Sequence, residues 1–77
     1  MDVIDDLLIT VRRHAGLKEK KRGTFYYKSS GFLHFHEDPA GLFADLKVGS
    51  NYRRFAVNTA AEQRGFLARV KALLARD

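Results

Sequence analysis

The chain lacks cysteine, and its 77 residues include no long uninterrupted run of apolar side chains. Without cysteine, disulfide bonds and thiolate metal sites are excluded, and the composition fits a cytoplasmic location. No stretch approaches the ~20 apolar residues that a membrane-spanning helix needs, so we expect no membrane partner. Asp2, Asp5 and Asp6 stand where a signal peptide would carry basic residues, so we also expect no secretory leader.

The sequence also lacks motifs that are specific for one chemistry. No glycine-rich loop precedes a helix, so nucleotide hydrolysis is unsupported. A Ser-His-Asp arrangement would need Ser29, Ser30 or Ser50, and all three fall in predicted turns at the sheet edges. We therefore expect a non-enzymatic protein with no catalytic residues and no cofactor.

The composition is that of one small folded domain, residues 1–77. Hydrophobic residues make up 45% and aromatic residues 12% of the chain, which is typical of a folded protein with a modest core. The net charge is +5, and residues 18–54 carry eight basic against four acidic side chains, a net +4. This basic middle predicts an anionic partner such as a nucleic acid. The alternative is an ordinary surface charge that only maintains solubility.

Apolar residues recur at helical spacing near both ends of the chain. In the first predicted helix Asp2 is the N-cap, and the apolar stripe comprises Val3, Ile4, Leu7, Leu8, Val11 and Ala15. In the last helix Thr59 and Glu62 form a Thr-x-x-Glu capping box. Its stripe comprises Phe66, Leu67, Val70, Leu73 and Leu74.

Four runs rich in aromatic or branched residues lie between these helices, at Thr24–Lys28, Phe32–Glu37, Leu42–Val48 and Tyr52–Val57. The breaks between them contain turn residues, including Pro39 and the dipeptide Gly49-Ser50. Connections this short join only antiparallel neighbours. We therefore predict an α+β domain of order α-β-β-β-β-α, a four-stranded antiparallel meander with two helices on one face.

The turns also predict which residues face each other across the strands. A loop at residues 38–41 sets His34 opposite Asp45, and a loop at residues 49–50 sets Asp45 opposite Arg54. One face of the sheet is then nearly all apolar: Leu33, Phe35, Leu42, Ala44, Leu46, Val48, Phe55 and Val57. We expect the helices to cover that face.

The opposite face is predicted to stay open or to meet a partner. It carries Phe32, His34, His36, Phe43, Asp45, Lys47, Tyr52 and Arg54, joined from the first strand by either Phe25 and Tyr27 or by Tyr26. Aromatic rings on an uncovered sheet face indicate an interaction site.

Two binding functions fit this predicted face. Rings can stack on unpaired bases while basic side chains meet phosphates, so the first hypothesis is recognition of nucleic acid or of another anionic or aromatic partner. A predicted charged connector at residues 18–23 and the end of the first strand would support it with Lys18, Lys20, Lys21, Arg22 and Lys28. The second hypothesis is a homodimer that stacks two open faces, with the rings as its core.

A third hypothesis concerns the histidines. His34 and His36 lie on one face beside Asp45, and this set could hold zinc in a metal binder or a metal-dependent enzyme. Arg54 would compete for Asp45. The alternative is a polar row across the strands, in which Asp45 is ionised and gives His34 protonated character.

The run Phe32–Glu37 (FLHFHE), followed by Ala44–Val48 (ADLKV) and a terminal helix, resembles small bacterial domains that carry the label "luciferase family". The layout of residues 23–74 more distantly resembles the MmcQ/YjbR group, which is associated with DNA binding. The first resemblance implies no defined chemistry, and the second implies a nucleic-acid partner. Carried over to this chain, the resemblance implies site residues only at His34 and His36.

Overall fold

The computed structural model describes residues 3–75, which form two helices and a five-stranded sheet. In chain order the elements are α1 (Val3–Arg12), β1 (Leu17–Lys21), β2 (Thr24–Tyr27), β3 (Ser30–Asp38), β4 (Gly41–Val48), β5 (Asn51–Ala56) and α2 (Ala60–Ala75). Sequential strands pair antiparallel, in the order β1-β2-β3-β4-β5. The predicted α+β class and antiparallel meander are confirmed, but the predicted strand count of four is wrong.

The additional strand, β1, occupies the segment that the sequence predicts as a charged connector. The carboxylate of Glu19 accepts hydrogen bonds from Arg12 Nε at 2.6 Å and from the Gly23 amide at 3.0 Å. These bonds tie β1 to the end of α1 and to the turn before β2. The lysines of an edge strand can stay in water, so β1 lacks the alternation of apolar residues by which a strand is predicted from the sequence.

Helix α1 contributes four buried side chains to the core, Ile4, Leu7, Leu8 and Val11. It ends at Arg12, earlier than its apolar stripe predicts, and Ala15 is exposed. The predicted N-cap, Asp2, lies outside the described residues. Neither α1 nor α2, the helices of residues 3–75, combines the length and the apolar character of a membrane span.

Helix α2 begins with the predicted capping box. Thr59 Oγ1 accepts a hydrogen bond from the Glu62 amide at 3.1 Å, and Glu62 Oε1 accepts one from the Thr59 amide at 3.1 Å. Each bond satisfies an amide that the start of a helix leaves without a partner. The helix then buries Phe66 and Val70.

Both turns that set the predicted register are present. Gly49, at φ +68°, lies in the turn between β4 and β5. Between β3 and β4, Asp38 Oδ1 accepts a hydrogen bond from the Ala40 amide at 2.7 Å, and this bond stabilises the turn that contains Pro39. The predicted pairs of His34 with Asp45 and of Asp45 with Arg54 are therefore confirmed.

The face that the sequence predicts as apolar forms the core. Six of its residues are buried, namely Leu33, Phe35, Leu42, Ala44, Leu46 and Val57, while Val48 and Phe55 are partly buried against them. Phe66 of α2 packs its ring on Phe35 and Phe55, at centroid distances of 5.9 and 5.7 Å. Because both helices pack into this one core, the opposite face is left uncovered by the elements of residues 3–75.

Candidate functional site: the open face of the sheet

The uncovered side of the sheet, called the open face below, carries polar, aromatic and charged side chains from all five strands. Its members are Lys18, Lys20, Lys21, Thr24, Tyr26, His34, His36, Asp38, Phe43, Asp45, Lys47, Tyr52 and Arg54. Five paired residues form a row across its whole width: Lys21, Thr24, His34, Asp45 and Arg54. The sequence predicts the last three of them, and the paired strands β1 and β2 add the first two.

Asp45 is the centre of a hydrogen-bond network on this face. Arg54 Nε donates to Asp45 Oδ1 at 2.9 Å, and Arg54 Nη2 donates to Oδ2 at 3.2 Å. His36 Nε2 donates to the same Oδ2 at 2.7 Å. The hydrogen bonds from Arg54 lower the pKa of Asp45 most, and the bond from His36 lowers it further. Asp45 is therefore ionised at neutral pH, as the sequence predicts.

The imidazole that binds Asp45 belongs to His36, although His34 stands directly opposite Asp45 in the register. The two imidazoles contact each other, with ring centroids 4.1 Å apart. Burial lowers the pKa of His34 most, and electrostatic interactions with His36 and with Lys21 lower it further, against the opposite effect of Asp45. The predicted protonated character of His34 is therefore wrong, because burial disfavours the charged ring. The lowered pKa of His34 favours its neutral form.

The predicted metal-ligand set His34, His36 and Asp45 does not assemble as a metal centre. Among residues 3–75, no group of three or more potential ligands converges. Both carboxylate oxygens of Asp45 accept hydrogen bonds from Arg54, and His36 Nε2 is engaged with the same carboxylate. A metal ion would have to displace a permanent cation, so the arrangement is a charge network between strands.

Phe32 does not belong to the open face in the way the sequence predicts. Its exposed fraction is 8%, and its ring contacts Tyr27 at a centroid distance of 5.7 Å. The pairing of β2 with β3 shifts between Phe25 and Tyr26, which leaves Phe32 in a bulge next to the buried Leu33. Because a bulge interrupts the alternation of side chains, two consecutive residues are buried here.

Three other rings remain accessible. Tyr52 has an exposed fraction of 52%, whereas Tyr26 and Phe43 are partly buried. Lys20 Nζ lies 5.8 Å from the ring centroid of Tyr26, and the guanidinium carbon of Arg54 lies 6.0 Å from that of Phe43. Each cation therefore stands beside a ring, which is the geometry of a cation–π contact.

A shallow cavity of about 240 Å³ lies in the open face, with Tyr26, His34 and Tyr52 in its wall. A Cβ atom at Gly31 would lie 2.7 Å from Tyr52 Oη, so the side chain of Tyr52 reaches from β5 past β4 to the backbone of β3. Thr24 also lines the cavity, and its buried Oγ1 has no hydrogen-bond partner in the described part of the chain. An unpaired buried hydroxyl costs about 1–3 kcal/mol, so core packing does not explain Thr24.

The sequence analysis does not predict Thr24 as a member of this site, and it gives Tyr26 only as one of two alternatives. The register of the first predicted strand was open, because its alternation fits either Phe25 and Tyr27 or Tyr26 on the open face. The structure buries Phe25 at 1% exposure and sets Tyr26 on the open face. The bulge in β3 explains why both alternatives fit, since it interrupts the regular alternation of side chains that the β3–β4 and β4–β5 pairs keep.

The charges of the open face are strongly unequal. It holds five cations, Lys18, Lys20, Lys21, Lys47 and Arg54, against the two carboxylates of Asp38 and Asp45. Arg22, which the sequence groups with these lysines, instead forms an ion pair with Asp5 of α1. Lys28 lies in the turn between β2 and β3 at φ +52°, beside the ring of Tyr27. The residues of the predicted basic loop therefore lie in three places: on β1, in the β1–β2 turn with an ion pair to α1, and in the β2–β3 turn.

The chain matches no protein-family model, and no curated protein or solved structure is significantly similar to it. The resemblance of the FLHFHE strand to luciferase-family domains, and the weaker resemblance to the MmcQ/YjbR group, remain predictions. Function must therefore be argued from the site itself.

Proposed function

We propose that this protein is a non-enzymatic cytoplasmic module that binds single-stranded nucleic acid on the open face of its sheet. One observation carries the proposal: cations and accessible rings lie together on a sheet face that neither helix covers. The cations are Lys18, Lys20, Lys21, Lys47 and Arg54, and the rings are those of Tyr26, Phe43 and Tyr52.

The mixture of rings and cations favours an unpaired strand over a duplex. In a duplex the bases are stacked on each other, and only their edges and the phosphates are accessible. In a single strand each base offers a flat surface to an aromatic side chain, while the phosphates remain available to lysine and arginine. Tyr52, with half of its surface exposed, is the ring best placed for such a stack.

Charge favours an anionic partner over a second copy of the chain. In a two-fold dimer that stacks open faces, the same surface would meet itself. Five cations and two carboxylates on each side would then face a surface of the same net positive charge. Such a contact is repulsive, so we retain the homodimer only as the outcome that would contradict the proposal.

The test is fluorescence anisotropy with a short single-stranded oligonucleotide, measured over a range of salt concentrations. Each neutralised phosphate of a single strand contributes a slope of about −0.7 to log Kobs against log salt. Engagement of all five cations would give a slope of about −3.5. An affinity that does not change with salt, or a chain that is dimeric by light scattering and binds no oligonucleotide, would contradict the proposal.

Two matched variants locate the contact. Lys47→Gln removes a cation from the open face, and Lys71→Gln removes one from an exposed position of α2. We expect Lys47→Gln to weaken binding and to reduce the salt slope by about 0.7. Equal losses for both variants would show that binding follows net charge and has no dedicated surface.

A further inference from the structure

The shallow cavity of the open face lies where the pairing of β2 with β3 is irregular. Phe25 pairs with Leu33 and Tyr26 pairs with Gly31, so this ladder passes over Phe32. All five of these residues line the cavity. A bulge interrupts a ladder and redirects side chains, and bulges are frequent beside functional sites. The bulge therefore accounts for the position of the cavity in the sheet.

The volume of the cavity limits what it can hold. Sites for whole small-molecule ligands usually measure about 300–1,000 Å³, whereas this cavity measures about 240 Å³. Tyr26 and Tyr52 belong to its wall, and aromatic side chains are the usual contact surfaces for the bases of a single strand. One base with its sugar and phosphates outside is therefore the part of a strand that suits this cavity.

The charge in the cavity also favours a base over a phosphate. Asp45 is the one ionised group among the described residues that line the cavity. His34 lines it as well, and burial lowers the pKa of this histidine and favours its neutral form. A phosphate in the cavity would meet a carboxylate of the same sign, so the occupant is a neutral group.

Cations stand next to the residues of the cavity wall. Lys21 of β1 is paired with Thr24, and Lys47 of β4 is paired with Tyr52. Both lysines lie on the open face, and neither belongs to the described residues that line the cavity. A strand that inserts one base has a phosphate on either side of that base, and lysines beside the cavity suit these phosphates.

The carboxylate of Asp45 distinguishes between bases. Its two oxygens offer about four acceptor sites, and Arg54 and His36 donate three hydrogen bonds to them. A base that enters with its sugar outside presents its Watson–Crick edge to the cavity. Cytosine has an exocyclic amino group on that edge, and aspartate accepts hydrogen bonds from this group in DNA complexes. Uracil instead has a carbonyl oxygen on each side of its imino group, and both oxygens would face the carboxylate.

Thr24 provides a second, independent observation. Its Oγ1 atom is buried and has no hydrogen-bond partner within residues 3–75, and Thr24 lines the cavity. A buried hydroxyl without a partner destabilises the free protein, and a ligand that bonds to it offsets this cost.

We propose that the shallow cavity binds one base with an exocyclic amino group from a single strand, with the amino group bonded to Asp45. In this complex Thr24 changes its χ1 rotamer and its hydroxyl bonds to the same base. This inference rests on the proposed function and adds a base preference to it.

The experiment compares oligodeoxycytidine with oligodeoxyuridine of the same length by fluorescence anisotropy at neutral pH. The two strands have the same backbone and ring size and differ on the Watson–Crick edge. We expect the cytidine strand to bind at least about tenfold more tightly, since a hydrogen bond to a charged group contributes on this scale. Equal affinities, or a preference for uridine, would overturn the base assignment and leave the proposed function standing. Absence of binding by both strands would overturn both proposals.

Two matched variants assign the preference to the cavity. Asp45→Asn replaces the acceptor by an amide of similar shape, and Asp38→Asn makes the same change at a carboxylate of the open face that is outside the described cavity wall. We expect Asp45→Asn to reduce the preference for cytidine to about onefold, because an amide can also donate to uracil. Asp38→Asn should keep the preference. Retention in Asp45→Asn, or an equal loss in both variants, would overturn the proposal.

Thr24→Val tests the second contact without disturbing the charge network. Valine has nearly the same shape as threonine and lacks the hydroxyl, so the denaturation midpoint should not fall. We expect the cytidine strand to bind about 2- to 12-fold more weakly, which is the range for one neutral hydrogen bond. A lower denaturation midpoint with unchanged affinity would show that the hydroxyl serves only the fold, and would overturn the assignment of Thr24 to the site.

Free deoxycytidine distinguishes a base within a strand from a small ligand. It carries the same base and none of the phosphates. We expect it to displace the cytidine strand only at concentrations far above the dissociation constant of that strand. Displacement at equal concentration would show that the cavity is a nucleoside site, and would overturn the assignment to a strand.

Discussion

The two faces of the sheet come from the same strands and differ in almost everything except their backbone. In β4, Leu46 is fully buried in the core, and its neighbours Asp45 and Lys47 lie on the open face. The core face is explained by the apolar area that it removes from water. The open face has no such explanation, because nothing in residues 3–75 covers it. The proposed partner would account for its rings and cations.

This comparison separates two kinds of constraint on one sequence. A one-residue slip of β4 would bury Asp45 and expose Leu46, so the core fixes the register of the open face without contacting it. The packing of the core face therefore determines which side chains lie next to each other on the open face. Substitutions on the core face should then lower the stability of the fold, and substitutions on the open face should weaken binding.

The largest effect is expected from Leu46→Ala, compared with Lys47→Ala at the next position of β4. Leu46 is at 0% exposure, and truncating such a side chain costs about 2–5 kcal/mol because a cavity remains. Lys47→Ala should change stability by no more than about 0.5 kcal/mol and should weaken oligonucleotide binding. Urea denaturation midpoints and anisotropy titrations measure the two quantities. Similar stability losses for both variants would refute the division into a core face and an open face.

The next effect concerns the most exposed ring of the open face. Tyr52→Ala should weaken binding of a single strand by about 1–3 kcal/mol, or about 5- to 150-fold, because one base loses its stacking surface. Tyr52→Phe keeps the ring and should bind like the unchanged chain. If the phenylalanine variant loses as much affinity as the alanine variant, the hydroxyl and not the ring makes the contact.

A smaller effect is expected away from both faces, at the start of α2. Thr59→Ala removes the acceptor of the Glu62 amide, and loss of such a cap costs about 0.5–2 kcal/mol. Thr59→Ser retains the hydroxyl and serves as the control. We expect oligonucleotide affinity to be unchanged in both variants at temperatures where they are folded. A denaturation midpoint that does not move in Thr59→Ala would show that the capping box contributes nothing.

The smallest effect is a pH dependence carried by Asp45. Its pKa is lowered from the ordinary 3.8, chiefly by hydrogen bonds from Arg54, so the ionised form stabilises the fold. This stability is complete above the unfolded-state pKa and is lost as the pH falls through the lower pKa of the folded state. Water screens a partly exposed ion pair, so the loss should not exceed about 1 kcal/mol.

The control for this pH dependence is Asp45→Asn, which cannot ionise. Denaturation midpoints of the two chains should differ most at neutral pH and converge as the pH falls below about 4. A difference that stays constant across the acidic range would mean that Asp45 contributes through its shape and hydrogen bonds and not through its charge.

Three predictions from the sequence differ from the structure for local physical reasons. The sequence predicts β1 as a connector because an edge strand has only one paired side and its lysines need no burial. Strict alternation along β3 predicts Phe32 on the open face, and the bulge in β3 interrupts that alternation. The register predicts protonated character for His34, whereas burial lowers its pKa and the side chain of Asp45 bonds to His36 instead.

The sequence by itself determined the class of the fold, the two turns, the capping box and the register of the last three strands. These features are either local or depend on the two-residue period of apolar side chains along a strand, so a few neighbouring residues specify them. Only the tertiary structure decided that Thr24 and Tyr52 share a cavity with His34, and that Asp45 binds Arg54 and His36. These contacts join segments whose spacing along the chain carries no periodic signal, and they form only after the core has fixed the sheet.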